Sequence, residues 1–221
     1  VMFRSTLIAS VLFLSAAAAA SEGIDISAFF MPRAEEIAIA RSAAPAKVSE
    51  RATIMVLAKD GYEIAVKGSN SFVCLVIRSF GNPTHDHEYM YMPGIVVPEC
   101  LDENAAKTIL PVQLHRAELA VRKTPPHEIE AAVRGGFQSG RFQRVETVAF
   151  SYMMSEAMTF GGGQRGPAHV MIYLPDDYTN DMIGGFSFKE RFVIVEGGPD
   201  QPFVAANVYL PDKAIAVKKP E

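Results

Sequence analysis

The sequence predicts an α+β fold with a mainly antiparallel sheet of six or seven strands, an N-terminal helix and an insertion of two to three helices. Two observations lead to this prediction. Short apolar runs bounded by Gly, Pro and Asp occur before residue 80 and again after residue 147, while residues 102–137 have a helical composition. The order of strands, then helices, then strands is typical of an antiparallel sheet with a helical excursion.

The first twenty residues have the pattern of a secretory signal peptide. Arg4 precedes an apolar run from Leu7 to Leu14, and alanines such as Ala18 and Ala20 offer small residues for cleavage. The alternative is a transmembrane anchor, but an apolar run of about eight residues is well short of the roughly 20 that span a bilayer. We therefore predict a signal peptide over 1–20 and a single exported domain over 21–221, without membrane insertion after the signal is removed.

The composition of the chain limits the classes of partner that it is expected to bind. A net charge of -4 gives no basic surface, so nucleic acid is not an expected partner. A hydrophobic content of 49% is sufficient for one well-packed domain. A small-molecule ligand is compatible with this composition, and nothing in it specifies an oligomeric state.

The N-terminal helix is predicted over residues 32 to 43 of SAFFMPRAEEIAIARSAAP. Pro32 suits a first helical turn, and Glu35 and Glu36 follow it where the helix dipole favours anions. Pro45 then ends the helix because it cannot continue the hydrogen-bonding pattern.

The next segment, ATIMVLAKDGYEIAVKGSNSFVCLVIRSF, is predicted to form a three-stranded β-meander. Asp60 and Gly61 separate the first two apolar runs, and residues 68–70 (Gly-Ser-Asn) separate the last two. The outer two runs are almost wholly apolar, so we expect both of their faces to be covered.

The helical excursion begins with LDENAAKTILPVQLHRAELAVRK, in which Pro111 either kinks one helix or begins a second. A short helix follows, with Thr124 as N-cap, Pro125 in the first turn and the Gly135-Gly136 pair at its end. Strand patterns then return in four segments: TVAFSYMM, AHVMIYLP, RFVIVEG and FVAANVYLP.

The two cysteines, Cys74 and Cys100, are predicted to form a disulfide. In an oxidising compartment two thiols of one domain usually pair with each other. The alternative is that Cys74, within the apolar run FVCLVI, is a buried small hydrophobic residue.

The chain contains five blocks in a fixed order: AAPAKVSERATIMVL, GSNSFVC, a loop ending in PEC, VAFSYMMS and GPAHVMIYLP. In this order the blocks resemble a family of exported bacterial proteins without assigned activity. The family has an ALSAAP helix, an ATVM strand, a GTNGWTC turn, a loop ending in PMC, a GISYML strand and a PPHIMI strand. The resemblance implies that the cysteine pair and the position of His169 belong to a shared core, and Phe72 stands where the family has Trp.

The segment THDHEYMYMP contains His85, His87, Met90 and Met92. Imidazole and thioether groups suit copper, and alternate residues of an extended segment share a side. This loop is therefore a candidate copper site. The alternative is an exposed polar loop that holds these residues without a ligand.

The histidine of GPAHVMIYLP, His169, is the candidate centre of a hydrolase-like site. Strand alternation places it with Met171 and Tyr173 on one face, where it could act as a base or ligand facing a pocket. A grouping of Ser151, His169 and Asp176 would supply nucleophile, base and acid, but such a triad is defined by geometry. The alternative is a core histidine hydrogen-bonded to the backbone or to a tyrosine.

Two further patterns are interpreted as structural. GGGQRG matches G-x-G-x-x-G, but Pro167 and a strand follow it, so no dinucleotide site is expected. The methionines at 153, 154, 158 and 171 are expected to fill the core, with a hydrophobic ligand pocket as the alternative.

Taken together, these patterns favour an exported soluble protein of the periplasm or extracellular space that acts as a non-enzymatic binding or structural module. Two alternatives stay open: a hydrolase-like enzyme centred on His169, and a copper-binding periplasmic protein that uses residues 85–92. Copper is the one cofactor that the sequence offers.

Overall fold

The structure, a computed structural model, describes residues 25–81, 90–160, 163–178, 182, 192–196 and 202–210. The predicted signal peptide and both His85 and His87 of the candidate copper loop lie outside the described residues. Within the described ranges, no helix is long and apolar enough to cross a membrane.

The fold is built on an eight-stranded sheet in the order β2-β1-β3-β4-β5-β8-β10-β9, and a separate two-stranded ribbon pairs β6 with β7. The pair β1 and β3 is parallel and the other neighbours in the sheet are antiparallel. The predicted α+β class is confirmed, and the described sheet has eight strands where six or seven were expected. The strands are β1 (Thr53–Ala58), β2 (Gly61–Val66), β3 (Val73–Ile77), β4 (Val97–Leu101), β5 (Ala149–Met153), β6 (Thr159–Phe160), β7 (Gln164–Arg165), β8 (His169–Leu174), β9 (Phe192–Glu196) and β10 (Val204–Tyr209).

Two α-helices precede β1 where a single N-terminal helix was predicted, and three helices form the insertion between β4 and β5, as expected. Pro111 lies in the first turn of α4, so it begins a second helix rather than kinking one. The α-helices are α1 (Arg33–Arg41), α2 (Ala46–Ser49), α3 (Glu103–Thr108), α4 (Leu110–Val121) and α5 (Pro126–Gln138), and short 3-10 helices span Ile26–Phe29 and Ser79–Gly81.

The sheet has two covered faces. The N-terminal face packs against α1 and α2 and carries both cysteines in a cluster with Ala40, Ala43 and Ile54. The insertion face packs against α3 and α4, and its cluster contains Leu75 and Leu101. Both faces of β1 and β3 are therefore buried, as their continuous apolar patterns predict.

The predicted β-meander is wrong, because β3 returns beside β1 in parallel instead of pairing with β2. The connection passes close to the start of β1, where Thr53 N donates to Phe72 O at 2.9 Å and Ser69 N donates to Arg51 O at 2.7 Å. A Cβ atom on Gly68 would lie 2.3 Å from Thr53 N. Glycine thus permits the backbone contact that directs β3 to the other side of β1.

Strand β4 was not expected from the sequence, because Pro98 interrupts its pattern and a proline usually demotes a run to an edge or a loop. In the structure β4 is central and pairs along its length with β3. On its other side, β5 pairs only with Cys100 and Leu101. The ladder toward β5 thus begins after Pro98, which has no N–H to contribute to it.

The predicted ends of the last helix of the insertion are also wrong. Pro125 rather than Thr124 is the N-cap of α5, and the helix continues through Gly135 and Gly136 to Gln138. A Cβ atom on Gly136 would lie 2.2 Å from the ring of Phe142. Gly136 therefore does not end the helix. It leaves space for the ring of Phe142 to pack on the helix.

Candidate functional site

The predicted disulfide is confirmed, since Cys74 and Cys100 are bonded to each other. They are direct partners on β3 and β4, and both are fully buried. Both cysteines of the chain lie in its described part and neither is free there. Thiolate catalysis and thiolate metal binding are thereby excluded in the oxidised protein.

Chemically active side chains concentrate on the insertion face of strands β5, β8 and β10. Partners in an antiparallel ladder share a face, and alternate residues of each strand return to it. The register aligns Met153 with His169, and His169 with Tyr209. We call this surface the β5–β8–β10 face, and it consists of Ser151, Met153, His169, Met171, Asn207 and Tyr209.

A buried polar network joins this face to β4 and α4. Tyr173 donates its hydroxyl hydrogen to Glu99 Oε1 at 2.5 Å, and Gln113 Nε2 donates to Glu99 Oε2 at 2.8 Å. The hydroxyls of Ser151 and Tyr173 are 3.1 Å apart. Burial raises the pKa of Glu99 even though these hydrogen bonds oppose the shift. The same burial, with the nearby carboxyl group, raises the pKa of Tyr173.

Glu99 and Gln113 were missed by the sequence interpretation. Glu99 lies in VVPECL, which was taken for the end of a loop, and in a loop an acidic residue needs no explanation. A single carboxylate inside an otherwise apolar run, next to a paired cysteine, is the signal that could have identified it. Charged residues are almost never fully buried without a partner, so such a residue predicts a polar network.

The three residues of the candidate hydrolase site lie in separate environments. His169 is buried, and its Nδ1 atom donates to Pro167 O at 2.8 Å. Its ring packs against Tyr209 with 5.3 Å between ring centroids. Burial lowers the pKa of His169 and favours the neutral imidazole. Asp176 is exposed and pairs with Arg144.

Ser151 shares the sheet face with His169, but the structure gives its hydroxyl a different partner. The nearest hydroxyl is that of Tyr173, and Ser151 also contributes a hydrogen bond to Glu99 that lowers the pKa of this carboxyl group. Among the described side chains, no hydrogen bond joins Ser151, His169 and Asp176. The arrangement thus lacks the contact between nucleophile and base that activates a serine.

The two described candidate ligands of the copper loop, Met90 and Met92, pack against the hydrophobic clusters. Met90 is 5% exposed and packs in a cluster with Phe29 and Phe80, and its carbonyl oxygen accepts a hydrogen bond from Ser79. Met92 is half-buried and packs against the insertion-face cluster. The described ranges contain no group of three or more His, Cys, Asp or Glu residues suited to a metal ion.

The β5–β8–β10 face also carries a buried polar atom without a partner. Asn207 is 7% exposed, and its Oδ1 atom has no hydrogen-bond partner among the described residues. Its side chain forms a hydrogen bond that lowers the pKa of Tyr209, although burial raises that pKa more strongly. Buried polar atoms are nearly always paired. Asn207 Oδ1 therefore marks a position where the face can accept a hydrogen bond or lie beside a cation.

Replacing Glu99 by glutamine is expected to keep the fold. The stability of the variant relative to the native chain should be more favourable at neutral pH than at acidic pH. The introduced carbonyl oxygen can accept from Tyr173, and Gln113 Oε1, which has no partner in the described part of the chain, can turn to accept from the introduced amide. The raised pKa of Glu99 means that its stabilising contribution is full below the unfolded value near 4.5 and is lost as pH rises.

Urea unfolding at pH 5 and pH 7.5 tests this expectation. The difference in unfolding free energy between the variant and the native chain should shift in favour of the variant at the higher pH, where the native chain loses the contribution of Glu99. Glu99→Leu is the control, because it removes the carboxylate that accepts from Tyr173 and Gln113 and should be destabilising by about 1–3 kcal/mol. A Glu99→Gln variant with the same deficit at both pH values would contradict the interpretation.

Comparison of the chain with protein-family models, with curated proteins and with solved structures gives no match.

Proposed function

We propose that this chain is an exported, disulfide-linked binding module without catalytic activity, and that its ligand site is the β5–β8–β10 face. The proposal depends on one observation: Asn207 Oδ1 is a buried hydrogen-bond acceptor that has no partner among the described residues. Binding sites combine apolar surface with a few placed polar groups. Met171 and Tyr209 are partly exposed on the same face and offer a route of access.

The absence of catalysis is supported by how the candidate hydrolase residues are used. The Nδ1 atom of His169 is occupied by Pro167 O, and Asp176 pairs with Arg144 at the surface. A catalytic triad needs the acid on one nitrogen of the histidine and the nucleophile on the other. Here a backbone carbonyl replaces the acid.

Export is supported by three features. The first twenty residues have the signal-peptide pattern, and the disulfide is of the kind that persists in oxidising compartments. The resemblance to an exported bacterial family points to the same location. The periplasm or the extracellular space is accordingly the proposed site of action.

Native mass spectrometry of the mature protein, purified from its own compartment, tests the binding proposal. We expect a species with additional bound mass, which is lost or reduced in Asn207→Leu. Asn104→Ala is the matched control, because this asparagine lies on α3 and donates to Val148 O, away from the proposed face. If the native chain carries only its own mass, or if both variants lose the ligand equally, the proposal is wrong.

The absence of catalysis has a separate test. A panel of activated esters should be hydrolysed no faster by the native chain than by Ser151→Ala. Hydrolysis that depends on Ser151 and on His169 would identify an enzyme and would overturn this part of the proposal.

A further inference from the structure

We propose that the β5–β8–β10 face binds a copper(I) ion through His169 and the thioether groups of Met153, Met158 and Met171. This inference depends on the proposed binding function and names the class of ligand. It differs from the loop hypothesis for His85 and His87, because three of the four ligands here come from strands β5 and β8 and the fourth from the turn before β6.

The strand register places two methionines, Met153 and Met171, next to His169 on the same face of the sheet. Met153 is the direct partner of His169 across β5 and β8, so their Cβ atoms are about 4.5–5.5 Å apart. Met171 follows His169 by two residues on the same face of β8, a rise of about 7 Å. Methionine has three rotatable side-chain bonds, so both sulfur atoms can reach toward the imidazole.

A third sulfur comes from the turn before β6. Met158 is fully buried and belongs to the same cluster as Met153. Its Sδ atom would be 2.6 Å from a Cβ atom on Gly166, and Gly166 N donates to Met158 O at 3.0 Å. Gly166 precedes His169 by three residues, so the absence of a side chain there leaves room for this thioether beside the segment that leads into β8.

The histidine is held in the form that binds metals. Its Nδ1–H group donates to Pro167 O at 2.8 Å, which fixes the ring and leaves Nε2 with its lone pair. Histidines that coordinate metals almost always donate their other N–H group to a carbonyl or carboxylate in this way.

The ligand set favours Cu(I) over other common ions. It contains one imidazole and three thioethers, all uncharged and mostly soft, and soft sulfur ligands select Cu(I). Calcium and magnesium prefer oxygen ligands, and structural zinc sites use thiolates or imidazoles. Asn207 is the cross-strand partner of Met171, and its Oδ1 atom has no hydrogen-bond partner in the described ranges, so a nearby cation would compensate its dipole.

Anaerobic titration with Cu(I), supplied as its coloured bicinchoninate complex, tests this inference. The native mature protein should remove one equivalent of Cu(I) from the complex. His169→Ala, and the double variant Met153→Leu with Met171→Leu, should weaken binding by at least about tenfold. The leucine substitutions nearly conserve volume, so the double variant is expected to fold even if His169→Ala does not.

Two controls make the result specific. Met55→Leu removes a buried methionine of the insertion face on β1, three strands from β5 and therefore about 14 Å away, and should bind Cu(I) like the native chain. A combined His85→Ala and His87→Ala variant should do the same.

The inference is overturned if the native chain takes up no Cu(I), if Met55→Leu weakens binding as much as the Met153 and Met171 pair, or if only the loop variant loses binding. Native mass spectrometry separates this failure from failure of the proposed function. An organic ligand bound without copper would overturn the copper site and leave the binding module standing.

Discussion

Replacing Arg78 by methionine is expected to lower the free energy of unfolding by about 3–5 kcal/mol, because it removes one partner of a buried ion pair. Arg78 and Glu36 are both buried, and Arg78 Nη2 lies 2.9 Å from Glu36 Oε1. Arg78 also donates to Phe29 O at 2.8 Å and to Val76 O at 2.6 Å. The substitution would thus leave a buried carboxylate with Leu57 N as its described donor and would remove the donor to Phe29 O, while Val76 O would keep the Tyr62 hydroxyl.

The loss should depend on pH. Burial raises the pKa of Glu36 although Arg78 opposes the shift, and removal of Arg78 raises this pKa further. A raised folded pKa means that stability is retained below the unfolded value near 4.5 and declines as pH rises. Urea unfolding should therefore show a larger deficit for Arg78→Met at pH 7 than at pH 4.5.

Two comparison variants identify the cause of this loss. Combining Glu36→Gln with Arg78→Met removes the charge but keeps an acceptor for Leu57 N, so it should be less destabilising than Arg78→Met alone. Arg33→Met breaks the exposed pair with Glu63 and should change stability by less than about 1 kcal/mol. Two results would contradict the assignment of this loss to the buried ion pair. One is an Arg78→Met variant as stable as the native chain, and the other is a double variant less stable than Arg78→Met.

The local elements of the fold could be predicted because their signals lie within a few residues. Pro32 is the N-cap of α1 as its position suggests, although Pro45 is the N-cap of α2 rather than the end of α1. The apolar runs predict strands where the structure has them. Capping at the last helix was harder, since Gly135 and Gly136 resemble a helix end. The ring of Phe142, which packs on Gly136, is the tertiary reason that a glycine pair stands inside a helix.

Strand order could not be predicted, because it depends on contacts between distant segments. Whether β3 pairs with β1 or with β2 is decided by the close passage of Gly68 beside Thr53, which no periodicity encodes. Pro98 hid a central strand, and with it Glu99. Glu36 was assigned to a favourable position in the helix dipole, whereas its main interaction is a buried pair with Arg78.

The candidate site was partly predictable for the same reason. A period of two places His169, Met171 and Tyr173 on one face from the sequence alone. The convergence of Met153 and Asn207 on that face requires the order β5-β8-β10, which brings together segments that are far apart in the chain. Chemistry within one strand can thus be predicted from sequence, but chemistry shared between strands requires the topology.

Removing the disulfide with Cys74→Ala and Cys100→Ala is expected to lower the free energy of unfolding by about 3–4 kcal/mol. The bond joins residues 26 positions apart, and closing a loop of this length restricts the unfolded chain. For a domain of this size the midpoint of thermal unfolding should fall by about 10 °C. Both sulfur atoms are also buried in the N-terminal-face cluster, so a small loss of packing adds to the effect.

Thermal unfolding with and without reductant measures this contribution. The native chain should be more stable when oxidised, and after complete reduction in denaturant and refolding it should approach the double variant. The variant itself should not respond to reductant, because the chain has no other cysteine. Equal midpoints for the oxidised native chain and the variant would show that the link between β3 and β4 adds nothing to the pairing of these strands. The stability of the central sheet would then depend on its hydrogen-bonded ladder and its two packed faces alone.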